Sequence, residues 1–587
     1  MTSATNLTLL PRDLPDGREL LEQGHRLAAD VTVGRSLLCE EHGVRSELAY
    51  KRKMAAEGRI MTTMNIGLQT WSDTARAMRS IHEETTRRGF RIDRYQMQMD
   101  RRMGLPPDLR ARAAKETGPL LESPTDWAGT TGTVPIQPGL GDMMIGSPMS
   151  VQNASNALAV GVTYIGNMGQ FNWKYPGWPG TDVDQMVEMV KALGLMAAKH
   201  DDDATMQSYL DDGFPAQFSD YCSYLGWAMF ERRLVEDVVG ARLAISYGGL
   251  THSPVLKTAV TLALEEITSE GTCNPFYHCN TTAYTADIDR NYATLGVDML
   301  YLTLVQQRLA TGAAVLPIPV TEALRIPSWQ EIVEVHAIAR RAAEYAATLV
   351  DFVDWPRLEA IRDQLLAGGR RFYDNLLNGL TDLGVDIDDP LQMLLAVRRL
   401  GAVEIENRFG AGTAPSEASE DYEPILPTDT LSDFISHRSA VRQHFAAQRP
   451  AESSCHRIVV ASSDVHEFGM RVVTEALRAL GVEPIVGGTS VDPDELADLA
   501  LEAGCTAILV STHNGMALTY AEHLLRELGQ RRLTVPVLFG GTLNQDMEGS
   551  DTPIDVRAQL REIGIIACDD ILDISAALGL VAEPAVR

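Results

Sequence analysis

A short group of residues near the end of the chain combines an imidazole, a carboxylate and a glycine at close spacing. It reads Asp464-Val-His466-Glu-Phe-Gly469. Where a histidine binds a metal in a protein, a carboxylate commonly accepts the hydrogen bond from its second ring nitrogen, which fixes the tautomer and raises the basicity of the ligand. The residue types at these positions are therefore suited to metal chemistry.

Two further groups lie downstream, and each contains small residues. The first is Ser511-Thr512-His513 and the second is Gly540-Gly541. A glycine pair at a strand end leaves space for another molecule to approach the backbone, because any Cβ there would clash with it. Together with the first group, these residues could form one ligand-binding edge.

The elements around the three groups must bring them together. Apolar β-rich runs alternate with helical stretches through this region. The predicted strands are residues 457–462, 483–486, 507–510, 535–539 and 565–567. The predicted helices are residues 492–503, 517–528, 556–563 and 571–580. This alternation predicts a doubly wound parallel sheet of the flavodoxin type, in which ligands bind beyond the carboxyl ends of the strands. Each of the three groups follows a predicted strand.

The three groups resemble the DxHxxG, SxL and GG signatures of cobalamin-binding domains. The resemblance implies that His466 is the lower axial ligand to cobalt, in place of the nucleotide base, and that Asp464 accepts its other ring N–H. It assigns the slot for the nucleotide tail to small residues, namely Gly469, Ser511, Thr512, Gly540 and Gly541. His513 stands where the family has a leucine. The alternative is an ordinary flavodoxin-like domain with a surface histidine.

Composition sets wider limits on the chain. It has 587 residues, enough for two or three domains, and 51 basic against 79 acidic residues give a net charge of −28. That charge opposes binding to nucleic acid. No apolar run reaches the roughly 18–20 residues of a membrane span, and the first residues lack the order of a secretory signal, so we expect a cytoplasmic protein. Seven cysteines without regular spacing indicate buried thiols, and Cys273-to-Cys279 matches no common zinc pattern.

The chain is predicted to be an α/β protein with five zones. Residues 1–60 are a helical N-terminal extension, residues 61–350 a barrel domain, residues 351–410 its helical tail, residues 411–455 an acidic linker rich in Pro and Ser, and residues 456–587 the cobalamin-binding domain. Alternating strands and helices over 61–350 fit an eight-fold parallel barrel of the TIM type. Its candidate strands include residues 91–96, 158–165, 241–246, 299–301 and 314–318. Its candidate helices include residues 182–199, 255–268 and 328–347.

Parts of the barrel region resemble the large subunit of glutamate mutase. The similar segments are the stretch 318–327 (IPVTEALRIP), the helical tail around 372–410, and the tyrosines Tyr221 and Tyr224. It implies an adenosylcobalamin-dependent carbon-skeleton mutase fused into one chain, with a homodimer as the family precedent. In that family, homolysis of the cobalt–carbon bond gives an adenosyl radical that takes hydrogen from the substrate. Glu322 would contact the adenosyl ribose, although Ile318 replaces the lysine that accompanies it.

The substrate is predicted to be a small carboxylate or amino acid. Tyr221 and Tyr224 would orient it through their hydroxyls, unless they are ordinary core aromatics. Arg101 and Arg102, with Arg94, are candidates to bind its carboxylate, because guanidinium forks suit planar carboxylates; a solvated basic face is the alternative. The stretch 129–135 (GTTGTVP) resembles a turn that cradles phosphate or carboxylate.

Other reaction classes remain open. A corrinoid methyltransferase normally has a helical cap before the cobalamin domain and a zinc-thiolate or folate site, and neither is evident in the sequence. A pyridoxal-dependent aminomutase needs a lysine for the Schiff base, and the chain has no lysine after Lys257. A cobalamin sensor would not require a barrel of this size.

Overall fold

The computed structural model describes residues 9–111, 113, 115, 117–416, 421–446, 456–464, 467–513, 515–545 and 553–579. The chain divides into two compact units. The large unit comprises Met1–Pro106, Gly118–Asn172 and Pro179–Thr430. The C-terminal unit comprises Pro107–Thr117, Trp173–Trp178 and Leu431–Arg587. Both contain parallel sheets with helices, as predicted for an α/β chain. Among the described residues, no helix is long and apolar enough to cross a membrane.

The described residues of the large unit include eight short strands, and all pairings between these strands are parallel. They are β1 Met61–Ile66, β2 Arg94–Met97, β3 Gln137–Gly139, β4 Tyr164–Gly166, β5 Thr205–Tyr209, β6 Arg242–Ser246, β7 Phe276–His278 and β8 Ala314–Leu316. One sheet has the order β3-β2-β1-β8-β7 and the other β4-β5-β6. Isolated parallel bridges join Leu140 to Ile165 and Tyr247 to Tyr277. Every strand therefore has a parallel neighbour on each side.

Helices separate these strands and also precede and follow them. In chain order they are α1 Gly17–Leu27, α2 Leu37–Glu41, α3 Glu47–Ala56, α4 Trp71–Arg87, α5 Pro107–Arg110, α6 Pro124–Gly132, α7 Ser150–Ala159, α8 Asp182–Ala198, α9 Tyr221–Arg232, α10 Pro254–Ile267, α11 Ile288–Leu309, α12 Trp329–Leu349, α13 Trp355–Asp382, α14 Pro390–Leu400, α15 Ala402–Phe409 and α16 Asp429–Ala446. All belong to the large unit except α5 and most of α16. Ser328 caps α12 through a capping box with Glu331, so the start predicted for this helix is confirmed.

Several predictions for local structure are wrong. Residues 299–301, predicted as a strand, lie inside α11, where Leu295, Met299 and Leu302 recur at helical spacing and are buried. Only the end of the predicted strand 158–165 is extended, because its first residues complete α7. The stretch 129–135 does not form a cradling turn, since most of it belongs to the capped helix α6 and its following turn.

A buried lysine lies at the amino ends of β7 and β8. The Lys51 ammonium donates to the carbonyl oxygens of Asn274 (3.2 Å), Pro275 (2.8 Å) and Gly312 (3.3 Å), and it lies 3.8 Å from a Glu47 carboxylate oxygen. The side chain is fully buried, and burial lowers its pKa to about 8. This single cation therefore serves three buried carbonyl groups and lies near a buried carboxylate that also pairs with Arg94.

Replacing Lys51 with methionine is expected to destabilise the large unit by about 3–5 kcal/mol, because Glu47 loses an ionic partner and three carbonyls lose their donor. Urea unfolding of the full chain, followed through the transition of the large unit, measures the change. Lys53→Met is the control, because Lys53 is exposed on the same helix and should change stability by less than about 0.5 kcal/mol. Equal effects of the two substitutions would contradict the structural role of Lys51.

The C-terminal unit contains a five-stranded parallel sheet with the order β10-β9-β11-β12-β15. Its strands are β9 Ile458–Ser462, β10 Ile485–Gly488, β11 Ala507–Thr512, β12 Val537–Gly541 and β15 Ile566–Ala567, and β13 Asn544–Gln545 pairs with β14 Ile554–Asp555 in a separate antiparallel pair. The helices are α17 Phe468–Ala479, α18 Pro493–Ala503, α19 Ala517–Gln530, α20 Arg557–Glu562 and α21 Ile574–Ala577. When these five strands are numbered 1 to 5 in chain order, the order in the sheet is 2-1-3-4-5. This is the order of doubly wound flavodoxin-like folds, as predicted.

The region predicted as a linker contains a helix. Within residues 411–455, α16 spans 18 residues and buries Phe434, Val441 and Phe445 in the apolar core of the C-terminal unit. These apolar residues recur at spacings of seven and four and so share one face of the helix. The acidic and polar residues around them concealed this pattern in the composition of the region.

Candidate functional site

The carboxyl edge of the C-terminal sheet brings together described residues of all three groups singled out in the sequence. Asp464, two residues beyond β9, is 3% exposed and accepts a hydrogen bond of 2.6 Å from the backbone N–H of His513, which follows β11. The Ser463 N–H donates to the Ser511 carbonyl at 2.9 Å. Asp464 therefore bridges the ends of two adjacent strands. His466 and Val465 lie outside the described residues.

Three glycines at this edge approach their neighbours differently. A Cβ on Gly469 would lie 2.5 Å from Ser511 Oγ, and a Cβ on Gly541, whose φ is +97°, would lie 2.4 Å from the Thr512 carbonyl oxygen. A Cβ on Gly540 would meet no described atom within 4 Å. Gly469 and Gly541 are therefore needed for packing of the edge, whereas Gly540 opens onto free space.

Thr512 is buried at the end of β11, and its hydroxyl has no hydrogen-bond partner within the described part of the chain. A buried hydroxyl without a partner is unfavourable, by about 1–3 kcal/mol. A bound molecule could provide the hydrogen-bond acceptor that this hydroxyl lacks within the described residues.

A cavity of about 520 Å³ adjoins these residues inside the C-terminal unit. Its mouth includes Gly469, Ser511, Gly540 and Gly541. Its walls are mainly apolar and come from three sources: the sheet, α17 with the segment after β15, and α16. The wall residues are Val460, Leu509, Val510, Leu538, Phe539, Phe468, Val472, Val473, Cys568, Asp569, Asp570, Ile571, Leu572, Ile574, His437, Ala440 and Val441. Such a slot suits a flat apolar group that bears polar atoms at the mouth.

His513 replaces the leucine of the family signature and has a defined place. Its backbone N–H donates to Asp464, and its ring Nδ1 lies 2.9 Å from the hydroxyl of Thr542, just beyond β12. The side chain is exposed. It ties the ends of β11 and β12 together at the mouth of the cavity, rather than filling the cavity as an apolar residue would.

A second set of polar residues lies at the carboxyl edge of the large unit. Asp142 follows β3, Asn167 and Gln170 follow β4, and Asp212 follows β5, so parallel strands bring these side chains to one edge. Gln170 Nε2 donates to Asp142 at 2.9 Å, and Asn167 Nδ2 donates to Asp212 at 3.0 Å. We call Asp142 and Asp212 the aspartate pair.

Burial and mutual repulsion control the ionisation of the aspartate pair. Burial raises the pKa of Asp142 to about 6. Burial first, and then the charges of Asp142 and Asp211, raise the pKa of Asp212 well above its ordinary value, against the lowering effect of hydrogen bonds from Asn167 and Gln170. Asp142 is therefore largely ionised at neutral pH, whereas Asp212 holds its proton to a higher pH than an ordinary aspartate does.

Asp211 immediately precedes Asp212 in the loop after β5, and it fixes the position of a neighbouring tyrosine. Its carboxylate accepts the hydroxyl of Tyr224 and the backbone N–H groups of Gly248 (2.9 Å) and Gly249 (2.7 Å). Tyr224 is 3% exposed, and burial raises the pKa of its hydroxyl well above the ordinary value. Its hydroxyl proton is thus directed toward Asp211.

Tyr221 belongs to the same aromatic cluster. Its ring centroid lies 6.0 Å from that of Tyr224, and its hydroxyl hydrogen bonds to Thr251 (3.0 Å) and Asp429 (3.3 Å). The Tyr247 hydroxyl also reaches Thr251, at 2.7 Å. The predicted tyrosines are therefore together, and both hydroxyls have protein partners.

Glu322 follows β8 at the same edge. It is accessible to solvent, and desolvation of its carboxyl by the surrounding protein raises its pKa to about 7. Its negative charge makes a small contribution to the raised pKa values of the Tyr209 and Tyr284 hydroxyls.

The candidate arginines have separate environments. Arg102 makes a two-pronged ion pair with Asp100, at 2.9 and 2.8 Å, and Arg101 is 4% exposed. Arg94 is fully buried at the start of β2 and pairs with Glu47 at 2.8 Å, so the suggestion that it binds substrate is wrong: its fork is used inside the protein, away from the carboxyl edge.

The residues around His278 do not form a metal site. Within the described residues, no three His, Cys, Asp or Glu side chains are grouped as ligands. His278 Nδ1 lies 2.5 Å from the Cys279 carbonyl, and burial lowers the pKa of the imidazole to about 4, so the ring is neutral.

Three carboxylates at the edge of the large unit were missed in the sequence: Asp142, Asp211 and Asp212. A signal was present, because Asp142 follows the strand-like IQPG, and Asp211 and Asp212 follow TMQSY. If these short runs had been recognised as strands, the acidic residues that follow them would have been expected at the carboxyl edge of the sheet.

Comparison with known proteins concerns the C-terminal unit. Residues 456–557 match the family described as the B12 binding domain. The glutamate mutase sigma subunit 1 of Haloarcula marismortui is 32% identical over 105 residues, which cover 18% of this chain and 68% of that subunit. The matched residues contain all three signature groups and the mouth of the cavity. The predicted cobalamin-binding domain is therefore confirmed.

Proposed function

Because the chain belongs, through its C-terminal B12-binding domain, to the family of the glutamate mutase sigma subunit, we propose that it is an adenosylcobalamin-dependent carbon-skeleton mutase acting on a small amino acid. The observation that carries the proposal is the joint presence of the signature edge with its cavity and, in the same chain, a large α/β unit whose carboxyl edge gathers tyrosines and carboxylates.

The residues of the C-terminal unit fit a cobalamin. Its nucleotide tail would occupy the apolar cavity, where Gly540 leaves the space for it. His466 would be the protein's ligand to cobalt. Asp464 would accept the other ring N–H of His466 while it holds the His513 amide. Buried Thr512 could donate its free hydroxyl at the same edge.

We propose that the eight strands of the large unit form a TIM-type barrel. The supporting observation is that the pairings β1-β2, β2-β3, β4-β5, β5-β6, β7-β8 and β8-β1 are all parallel, and that single bridges connect β3 to β4 and β6 to β7. Active sites of such barrels lie at the carboxyl ends of the strands. This placement assigns the substrate site to the edge with the aspartate pair, Tyr224 and Glu322.

Bound adenosylcobalamin would supply a carbon-centred radical that removes a hydrogen atom from the substrate. The chain's own residues would bind and orient that substrate. The aspartate pair, with the negative charge of ionised Asp142, suits an ammonium group, and Asn167 and Gln170 hold both carboxyls in place. Tyr224, fixed by Asp211, offers its hydroxyl oxygen as an acceptor. A closed barrel would keep water from reactive carbon centres.

This acidic lining favours an amino acid over a simple carboxylate. Arg102 is already paired with Asp100, whereas Asp142, Asp211 and Asp212 bring three carboxyl groups to this edge. We further propose that the protein acts as a homodimer and has no nucleic-acid partner, in keeping with its net charge of −28. Arg101 remains the candidate for a substrate carboxylate.

The proposed ammonium site makes turnover dependent on pH. Below about pH 6 Asp142 gains a proton and its negative charge is lost, so kcat/KM should fall about tenfold per pH unit as the pH decreases. Above pH 6 the pair keeps its negative charge and kcat/KM should level off.

Replacement of the titrating carboxyl tests this explanation. Asp142→Asn should raise KM about tenfold or more and remove the fall in kcat/KM at low pH. Asp201→Asn, at an exposed position, is the control. An unchanged profile in Asp142→Asn would contradict the ammonium site.

A substrate screen tests the proposed function. The full chain is loaded with adenosylcobalamin and mixed with amino acids and with their deaminated analogues, and cobalt(II) signals are followed by electron paramagnetic resonance. We expect an amino acid, and no deaminated analogue, to give the signal and a rearranged product.

The second candidate is a corrinoid methyltransferase, favoured by the helix α16 that precedes the B12 domain. Transfer of the methyl group from methylcobalamin, without any substrate-dependent signal, would replace the mutase proposal.

A further inference from the structure

Helix α16 precedes the residues that match the B12-binding family, yet most of it packs within the C-terminal unit. The match begins at residue 456, whereas α16 spans Asp429–Ala446. Its side chains Phe434, Val441 and Phe445 are 7%, 3% and 2% exposed and share one apolar cluster with the sheet. The helix is thus part of this unit's core rather than a loose connection.

Polar contacts also fix α16 to α17. Arg442 and Glu475 form an ion pair of 2.9 Å, and the Arg471 guanidinium lies over the ring of Phe434, 4.4 Å from its centroid. Both contacts are to α17, the helix that contains Gly469. The position of α16 is therefore set against the element that carries part of the signature edge.

One face of α16 lines the cavity beside the signature residues. His437, Ala440 and Val441 contribute to its wall. The His437 ring stands nearly perpendicular to the ring of Phe468, with centroids 5.5 Å apart, and Phe468 also lines the cavity. A group in the slot would have α16 as one of its walls.

We propose that α16 is a cofactor-binding element outside the recognised family domain: it walls the nucleotide slot and slows the release of the nucleotide tail. The inference rests on the proposed cobalamin cofactor. Its physical basis is burial, because a flat apolar base in a slot with a third wall loses more contact with water than one in a slot open at that side. Release of the tail then requires displacement of a helix that Arg442 and Phe434 hold in place.

The test compares two bulky substitutions on adjacent faces of α16 in the full chain. Ala440→Trp places an indole at the wall of the slot, whereas Ser439→Trp places it on exposed surface outside the cavity. Each variant is titrated with hydroxocobalamin and with dicyanocobinamide, which lacks the nucleotide tail. We expect Ala440→Trp to weaken binding of cobalamin about tenfold or more. Ser439→Trp should stay within about twofold for both compounds, as should Ala440→Trp for cobinamide.

A second variant adds a measurement that does not depend on added bulk. His437→Ala removes one side chain of the wall and its contact with Phe468, so cobalamin should dissociate about threefold or more faster, and cobinamide at an unchanged rate. Equal effects of Ala440→Trp and Ser439→Trp, or equal effects on cobalamin and cobinamide, would overturn the role of α16 while leaving the cofactor in place. Failure of the unaltered chain to bind cobalamin would overturn the proposed function and this inference with it.

Discussion

Replacing His466 with alanine should reduce turnover by about a thousandfold or more while leaving cobalamin bound through its nucleotide tail. The imidazole would be the protein's ligand to cobalt, whereas the slot that holds the tail is built from other residues. The two functions are therefore separable in one variant. Turnover of the amino acid identified by the substrate screen, together with a cobalamin titration, measures both.

His523→Ala is the matched control for His466→Ala. His523 lies on α19, outside the cavity and outside the signature groups, and its loss should leave turnover and the cobalamin spectrum unchanged. Asp464→Asn should have an intermediate effect, about 10–100-fold, because Asp464 would steady the imidazole and also holds the His513 amide. Unchanged turnover in His466→Ala would contradict the assignment of the cobalt ligand.

The second large effect is expected from Gly540→Leu. A Cβ at Gly540 meets no described atom within 4 Å, so the fold accepts the side chain, but the leucine would occupy the slot whose mouth Gly540 lines. Binding of cobalamin should weaken about 100-fold or more, while the apo chain keeps its thermal unfolding temperature. Titration of the purified apo chain measures the first quantity, and calorimetry measures the second.

Gly529→Leu controls for the added volume. Gly529 also has open space around its Cα, but it lies near the exposed end of α19 and away from the cavity. Its replacement should leave cobalamin affinity within about twofold. If both leucine variants bound cobalamin as the unaltered chain does, the cavity would not be the nucleotide slot.

The C-terminal unit was largely predictable from the sequence because its signals are local. The five predicted strands coincide with β9, β10, β11, β12 and β15 to within two residues at each end, and β9 and β11 consist mainly of buried apolar residues. The signature groups stand directly after strands, where the fold places ligands. Position in the chain was thus enough to indicate the binding edge.

The large unit was less predictable because its strands are short and partly polar. The strand β3 is Gln137-Pro-Gly139, and β5 is rich in polar residues that pair inside the sheet, such as Gln207 with Arg94 at 2.7 Å. Three to six residues carry little periodicity, so long-range pairing, which no local pattern records, decides their structure. The aspartate pair was missed for the same reason.

Two further features depended on tertiary contacts. The composition of the segment before residue 456 concealed α16, whose buried face is explained only by the sheet and helix that it covers. His513 departed from the family signature, and its contacts show why the departure is tolerated: its backbone amide donates to Asp464, which any residue could do, and its ring hydrogen bonds to Thr542. A leucine could keep the first contact but not the second.

The ligation of cobalt by His466 is tested most directly by electron paramagnetic resonance of the full chain loaded with cob(II)alamin. Nitrogen-14 and nitrogen-15 split the cobalt signal differently, so the protein is prepared with ordinary histidine and with ¹⁵N-histidine, while the cofactor stays unlabelled. If His466 binds cobalt, the threefold splitting of each line becomes twofold in the labelled protein. A threefold splitting that persists after labelling would identify the cofactor's own nucleotide base as the ligand and contradict the assignment.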